Sequence, residues 1–84
     1  MIKVSRMADY AILLVCKMSG DENKVYSSHE LSIITSLKIT TISKILTKLT
    51  KANVTASIRG VSGGYQLIKQ AKDISIGDII DIID

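Results

Sequence analysis

With 84 residues and an apolar content of 46%, the chain can form one small domain over residues 1–84 that removes roughly 60 to 65% of its unfolded surface from water. Its single cysteine excludes the disulfide framework on which secreted domains of this size usually depend, so we expect a cytoplasmic protein. The net charge of +3 is unevenly distributed: residues 31–72 carry seven Lys and Arg and no acid, and all eight Asp and Glu lie outside. Such a segment is typical of a surface that meets a polyanion, although a merely solvated basic face has the same composition.

The first predicted element is a helix from about residue 5 to residue 18, with an apolar stripe that Ala8, Ile12 and Cys16 widen. We expect this helix to be buried on two sides and Cys16 to be a buried, unreactive thiol; the alternative is a redox sensor. The run of seven apolar residues that ends at Cys16 is too short to span a bilayer, and Asp9 interrupts the positive region that a signal peptide would need. No membrane partner is expected.

A second helix is predicted to begin at the sequence Ser-Ser-His-Glu, where Ser27 would cap the helix and Glu30 would complete a capping box. This helix is short and ends near Ser36, and Thr40 is the cap candidate for the next one. A short helix, a short turn and a new helix form a helix-turn-helix motif. Because His29 has no His or Cys nearby at metal-ligand spacing, we expect it to be a solvated residue of the first turn.

The third predicted helix, from about Thr41 to Ala52, divides into two faces when residues are placed about 100° apart. The core face holds Ile42, Ile45, Leu46 and Leu49. The opposite face holds hydroxyls and ammonium groups and no acid: Thr40, Lys44, Thr47, Lys48 and Lys51. An ordinary amphipathic surface helix would share this pattern. Asn53 is predicted to end the helix in the left-handed conformation.

Two short alternating segments, residues 54–58 and 65–68, are predicted to pair as a hairpin around a connection that holds three glycines in six residues. A phosphate-binding loop is excluded because no Gly-Lys-Ser/Thr sequence follows and the next segment is a strand. The Gly-x-x-Gly loop of single-stranded RNA binders joins two helices, whereas this one joins strands. A last helix begins at Ser75, with a capping pattern and an isoleucine stripe. The predicted fold is therefore mainly α with a small β-hairpin: a winged helix-turn-helix with a three-helix core, a wing and the start of a fourth helix.

This order predicts double-stranded DNA as the partner, with the third helix in the major groove. Base contacts are predicted for Thr40, Thr41, Ser43, Lys44 and Thr47, and phosphate contacts for Lys38, Lys48 and Lys51. Arg59 is the candidate for a minor-groove contact, because an arginine beside glycines can enter a narrow, negative groove. The predicted DNA-binding set also includes Ser28, Gly60, Ser62 and Gly63. No carboxylate pair, nucleophile triad or metal cluster supports catalysis, so an enzyme is not expected. The alternative is a winged-helix module that binds proteins and not DNA.

Four segments carry a resemblance to a known family: RMADYAILL from Arg6, ISKILTKLTK from Ile42, IRGVSGGYQL from Ile58 and ISIGDII from Ile74. The chain resembles the IscR/NsrR/CymR regulators, also called the Rrf2 family, and within it most resembles regulators of iron–sulfur cluster assembly. The resemblance implies a repressor that binds operators as a dimer, with the helix that starts near Thr40 in the major groove and the Arg59 wing in the minor groove.

The sequence departs from the family at several positions. Many members have Pro-Gly where this chain has Val61-Ser62, Asn53 replaces a common glycine, and Ser43 stands where a glutamate serves sequence discrimination. The family's long dimerisation helix and its three cluster-binding cysteines would follow the last residue given. We therefore expect no iron–sulfur cofactor in these 84 residues and a weakened homodimer.

Overall fold

The computed structural model describes residues 5–84, and four helices and a small sheet make up its regular structure. The elements in chain order are α1 (Arg6–Ser19), β1 (Val25–Tyr26), α2 (Ser28–Thr35), α3 (Ile39–Lys51), β2 (Thr55–Ile58), β3 (Gly64–Leu67), a 3-10 turn (Ala71–Asp73) and α4 (Ile76–Ile83). The winged helix-turn-helix predicted from the sequence is confirmed. Within the described part of the chain, no helix is long and apolar enough to cross a membrane.

The core lies where α1, α3 and α4 meet the sheet. The fully buried residues of α1 recur at helical spacing, at Ala8, Ala11, Leu14 and Met18, and those of α3 are the four predicted apolar positions. The prediction that α1 is buried on two sides is wrong, because Cys16 is exposed. It lies about 200° around the helix from both Leu14 and Met18, which places it on the solvent side. The prediction that the Cys16 thiol is buried is therefore also wrong.

The predicted capping box of α2 is only half formed. The Ser27 hydroxyl accepts a hydrogen bond from the Glu30 amide at 3.0 Å, as expected. The Glu30 carboxylate, however, pairs with the Lys24 ammonium at 2.6 Å instead of returning to the Ser27 amide. The same ammonium lies 4.8 Å from the centre of the Tyr26 ring. Its bond to Glu30 raises the pKa of Lys24. The ion pair thus ties the loop before β1 to the first turn of α2.

Helix α3 begins two residues earlier than predicted, at Ile39, and Lys38 occupies the N-cap position without a side-chain bond. The prediction that Thr40 caps α3 is wrong, because the preceding turn already fixes the backbone before the helix. The Ser32 hydroxyl donates to the Leu37 carbonyl at 2.6 Å. The Leu37 amide donates to the Thr35 hydroxyl at 3.2 Å, and that hydroxyl donates to the Leu31 carbonyl. With Leu37 held from both sides, the helix starts immediately after Lys38.

The other end of α3 agrees with the sequence prediction. Asn53 adopts a left-handed conformation, with φ of 60°. The Val54 amide then donates to the Leu49 carbonyl at 3.0 Å, which is the bond that closes a Schellman motif. The chain consequently turns back against the core, where Val54 is buried, and enters β2.

The sheet contains a third strand that the sequence did not predict. Strand β3 lies in the middle, with β2 on one side and the two-residue strand β1 on the other, and both pairs are antiparallel. Tyr26 is the register partner of Tyr65. A Cβ atom on Gly64 would overlap the Tyr26 carbonyl oxygen and lie 2.6 Å from its carbonyl carbon. Strand β1 therefore approaches β3 at a position where only glycine fits.

Helix α4 begins with the predicted capping box. The Ser75 hydroxyl accepts from the Asp78 amide at 2.9 Å, and the Asp78 carboxylate accepts from the Ser75 amide at 3.2 Å. These bonds lower the pKa of Asp78. Ile79 and Ile83 are buried against the core, whereas Ile76 is exposed. Helix α4 thus closes the side of the core formed by α1 and α3.

Candidate nucleic-acid interface

The outward face of α3 collects most of the residues predicted to contact bases. Around the helix axis, at about 100° per residue, the midpoint of the four core residues lies opposite a broad arc of exposed side chains. The exposed side chains on that arc are Thr40, Ser43, Lys44, Thr47 and Lys51. Within α3 there is no acidic residue. The structure therefore presents one continuous face of hydroxyls and cations.

Two of the predicted α3 residues lie on a flank of the helix and not on the outward face. From the direction opposite the core midpoint, Thr41 lies about 90° and Lys48 about 70° around the helix, and Thr41 is half-buried. Thr47 lies on the face, but its hydroxyl donates to the Ser43 carbonyl at 2.8 Å. Its oxygen remains able to accept a hydrogen bond, so Thr47 would meet a base as an acceptor or through its methyl group.

Lys48 connects α3 to α4. Its ammonium donates to the carbonyl oxygen of Ile83 at 2.8 Å. Helix α4 has no basic residue of its own in its last turn, so this ammonium supplies the positive charge that a helix C-terminus favours. Beside it lies a shallow depression lined by Lys48, Lys51, Ala52 and Ile82. The phosphate contact predicted for Lys48 would have to compete with the bond to Ile83, and it remains a prediction.

Two further predicted contacts lie at helix starts. Lys38 is exposed at the N-cap of α3, one residue before the helix. Ser28 is the first residue of α2 and is half-buried, next to the capping residue Ser27. The first backbone amides of a helix have no partner within the helix and carry a partial positive charge. Lys38 and Ser28 therefore lie at positions that suit an anionic backbone.

The wing tip is a tight turn whose shape depends on glycine. The Gly63 amide donates to the Gly60 carbonyl at 3.0 Å, which closes a four-residue turn with Val61 and Ser62 at its centre. Gly60 has φ of 121°, a conformation that other residues rarely adopt. A Cβ on Gly63 would overlap the Ile58 carbonyl oxygen. Arg59 leaves β2 just before this turn and is exposed, as is Ser62.

Threonine hydroxyls join α3 to the wing. Thr50, near the end of α3, and Thr55, the first residue of β2, lie with their hydroxyl oxygens 2.9 Å apart. Thr55 is almost completely buried. The Schellman turn between them fixes the same junction from the backbone side. The two surfaces predicted to meet DNA are consequently held in one relative orientation.

Sequence reasoning missed several residues that form this surface. The hydroxyls of Ser32, Thr35 and Thr50 fix the ends of α3, and Val61 is the most exposed apolar residue on the described surface, at 109%. The sequence indicates these hydroxyl bonds only weakly, since Ser and Thr at helix ends commonly form hydrogen bonds with nearby backbone groups. Val61 had no periodic signal because it lies in a loop.

A metal centre is not formed by the residues that the structure describes. Among residues 5–84 no three His, Cys, Asp or Glu side chains lie together as metal ligands would. Cys16 is exposed on α1 and His29 is exposed in the first turn of α2.

The helix-turn-helix of α2 and α3, followed by an antiparallel hairpin with a basic glycine-rich tip, defines a winged helix-turn-helix domain. Solved structures share this fold. The TM-score is 0.93 with CymR, the global cysteine regulator of B. subtilis, at 25% identity over 100% of this chain and 66% of that one. It is 0.89 with T. potens IscR, at 26% identity over 99% of this chain and 61% of that one.

The model of the Rrf2 family, described as iron-dependent transcriptional regulators, matches residues 4–84, and the chain belongs to this family. Curated relatives include IscR of Vibrio campbellii, 29% identical over 99% of this chain and 50% of the relative. IscR of Vibrio atlanticus is 38% identical over 57% of this chain and 28% of the relative. The chain thus spans half or less of the length of these relatives. They are named as transcriptional regulators, which agrees with the expectation that the chain is not an enzyme.

Proposed function

We propose that residues 1–84 act as the DNA-binding domain of a transcriptional repressor, with α3 in the major groove and the wing in the adjacent minor groove. The observation that carries the proposal is the acid-free outward face of α3 beside the exposed Arg59 wing. A helix in the major groove lies between two rows of phosphates, where an acidic side chain would be repelled and hydroxyls and cations are favoured. The Rrf2 membership supports the same function.

The outward face suggests a division of roles. Thr40, Ser43 and Lys44 lie toward the first half of α3, the half that meets base edges in helix-turn-helix proteins. Thr47 would contribute from the following turn of the outward face, and Thr41 from the flank of the helix. Lys38 and Lys51 lie at opposite ends of the helix, where they would reach phosphates on either side of the groove. Ser28 would add a phosphate contact from the start of α2. These contacts would fix the register in which α3 reads the bases.

Arg59 is the proposed minor-groove contact. It directly precedes a turn that glycine keeps narrow, and Gly60, Ser62 and Gly63 allow the backbone of the wing to approach the groove. A narrow A·T-rich minor groove has an enhanced negative potential that attracts a guanidinium group. The wing would therefore favour operators with A·T base pairs outside the half-site that α3 reads.

Operator recognition by this class commonly joins two half-sites about one helical turn apart, so we propose that a homodimer gives the full affinity and that one chain reads a half-site. A repressor acts on the chromosome, which in a bacterium places it in the cytoplasm.

Salt-dependent binding to duplex DNA tests the function. If each chain contacts about four phosphates, the logarithm of the association constant should fall against the logarithm of the salt concentration with a slope of about −3.6. A fluorescently labelled library of random duplexes, enriched by repeated selection, would supply the preferred sequence. Absence of duplex binding at low salt, or binding without a salt slope, would refute the proposal and leave a protein-binding module as the alternative.

A further inference from the structure

Val61, at the tip of the wing, is an apolar side chain that the fold does not use. Its side chain is fully exposed, at 109%, between Gly60 and Ser62 in a turn closed by the bond from Gly63 to Gly60. The turn depends on the backbone freedom and small size of its glycines, and nothing in the described structure packs on the valine. An exposed valine therefore adds nothing to the stability of the hairpin.

We propose that Val61 is a specificity-determining residue that disfavours guanine in the minor groove; the inference rests on the proposed function, since it requires the wing to enter that groove. Val61 follows Arg59 by two residues and lies at the centre of the turn that the Gly63 to Gly60 bond closes, so a wing that carried Arg59 into the groove would place the valine beside the base pairs. Burial there would remove the exposed methyl groups from water. The β-branched side chain of valine has restricted rotamers, so little conformational entropy would be lost.

The chemistry of the groove floor gives the direction of the preference. In the minor groove A·T and T·A pairs show only acceptors, whereas G·C adds the donor N2 amino group of guanine. A valine pressed against that amino group would displace its water and offer no acceptor in return, and an unpaired buried donor is costly. Val61 would thus reject G·C by the presence of one group, independently of the attraction between Arg59 and a narrow groove.

Replacing guanine with inosine tests the contribution of the N2 amino group alone. Inosine·C and G·C pairs have the same major-groove edge and differ by the N2 amino group in the minor groove. The test uses a duplex selected by the wild-type chain, with the flanking pairs that the wing protects from hydroxyl radicals replaced either by inosine·C or by G·C. We expect the wild-type chain to bind the inosine duplex about fivefold to tenfold more tightly.

The Val61→Thr variant tests whether the preference for inosine comes from the Val61 side chain and not from the rest of the wing. Threonine keeps the branched shape, and its hydroxyl can accept a hydrogen bond from the guanine amino group. The preference for inosine should fall to about twofold, the remainder reflecting Arg59 and the width of the groove. Ile68→Thr is the matched control, because Ile68 is 52% exposed at the opposite end of β3 and should leave the preference unchanged.

The outcomes distinguish the two proposals. No selected duplex and no binding at low salt would refute the proposed function and the inference with it. Binding with equal affinity for the inosine and G·C duplexes, or an unchanged preference in Val61→Thr, would refute the inference and leave the proposed function standing. A preference that falls equally in Ile68→Thr would refute it as well, since the effect would not come from the wing tip.

Discussion

Replacing Lys48 and Lys51 separately with methionine should have different consequences, although both are exposed lysines in the last turn of α3. Lys48→Met removes the 2.8 Å bond from the ammonium to the Ile83 carbonyl. A hydrogen bond from a charged group contributes about 1.5–3 kcal/mol when buried, and exposure to solvent reduces this to about 0.5–1 kcal/mol. For a domain of this size the melting temperature should fall by about 2–8 °C. Lys51→Met should lower it by less.

For DNA binding the order is reversed: Lys51→Met should have the larger effect and Lys48→Met the smaller one. The outward-facing Lys51 is free to contact a phosphate, so its loss should reduce the salt slope by about 0.9, whereas the loss of Lys48 should change the slope much less. The measurements are thermal unfolding by circular dichroism and duplex binding by fluorescence anisotropy at four or more salt concentrations. Lys48→Arg, which keeps the charge, serves as the control for stability. Equal losses of slope in the two methionine variants, with equal melting temperatures, would refute the bridging role of Lys48.

Three further changes test other parts of the structure. Arg59→Ala should weaken binding to duplexes with A·T flanks more than to those with G·C flanks, and an equal loss on both would indicate a simple phosphate contact. Gly64→Ala should destabilise the fold by about 2 kcal/mol in urea unfolding, because the new Cβ overlaps the Tyr26 backbone, whereas Gly77→Ala, which meets only an ordinary contact at 3.7 Å, should stabilise it by about 0.5 kcal/mol. Since the pKa of Asp78 is lowered in the folded state, its carboxylate stabilises the protein above the ordinary pKa, and this contribution is lost as the pH falls through the folded value. The stability difference between wild type and Asp78→Ala should therefore shrink on acidification from about pH 6 to about pH 2, and a constant difference would contradict the cap.

The sequence predicted the features that depend on local periodicity. The two faces of α3 follow from the angle between successive residues, so its four core residues are buried as expected. Asn53 and Ser75 were recognisable for a similar reason, since caps depend on the conformational preferences of single residues. The same angular rule, applied strictly, would also have placed Cys16 on the solvent side of α1.

The features that were missed depend on contacts between distant residues. Strand β1 has two residues, too few to show an alternating pattern, and it exists because β3 offers a free edge. The start of α3 was shifted because bonds from the preceding turn, and not a cap at Thr40, fix the backbone. The bond from Lys48 to Ile83 joins residues 35 positions apart, and no sequence pattern within α3 predicts it.

The contacts at the ends of α3 explain how one small domain could read two grooves. The Ser32 hydroxyl holds the turn before the helix, the pair of Thr50 and Thr55 holds the junction to the wing, and Lys48 holds the flank against α4. Major-groove and minor-groove contacts are made together with higher affinity when the distance between helix and wing is fixed before binding, because ordering them on DNA would cost free energy. The hydrogen bond between half-buried Thr50 and buried Thr55 fixes that distance more firmly than the lysine bond, which solvent weakens. The orientation of α3 relative to the wing should therefore be the rigid part of the interface, and its relation to α4 the part that a change elsewhere in the protein could alter.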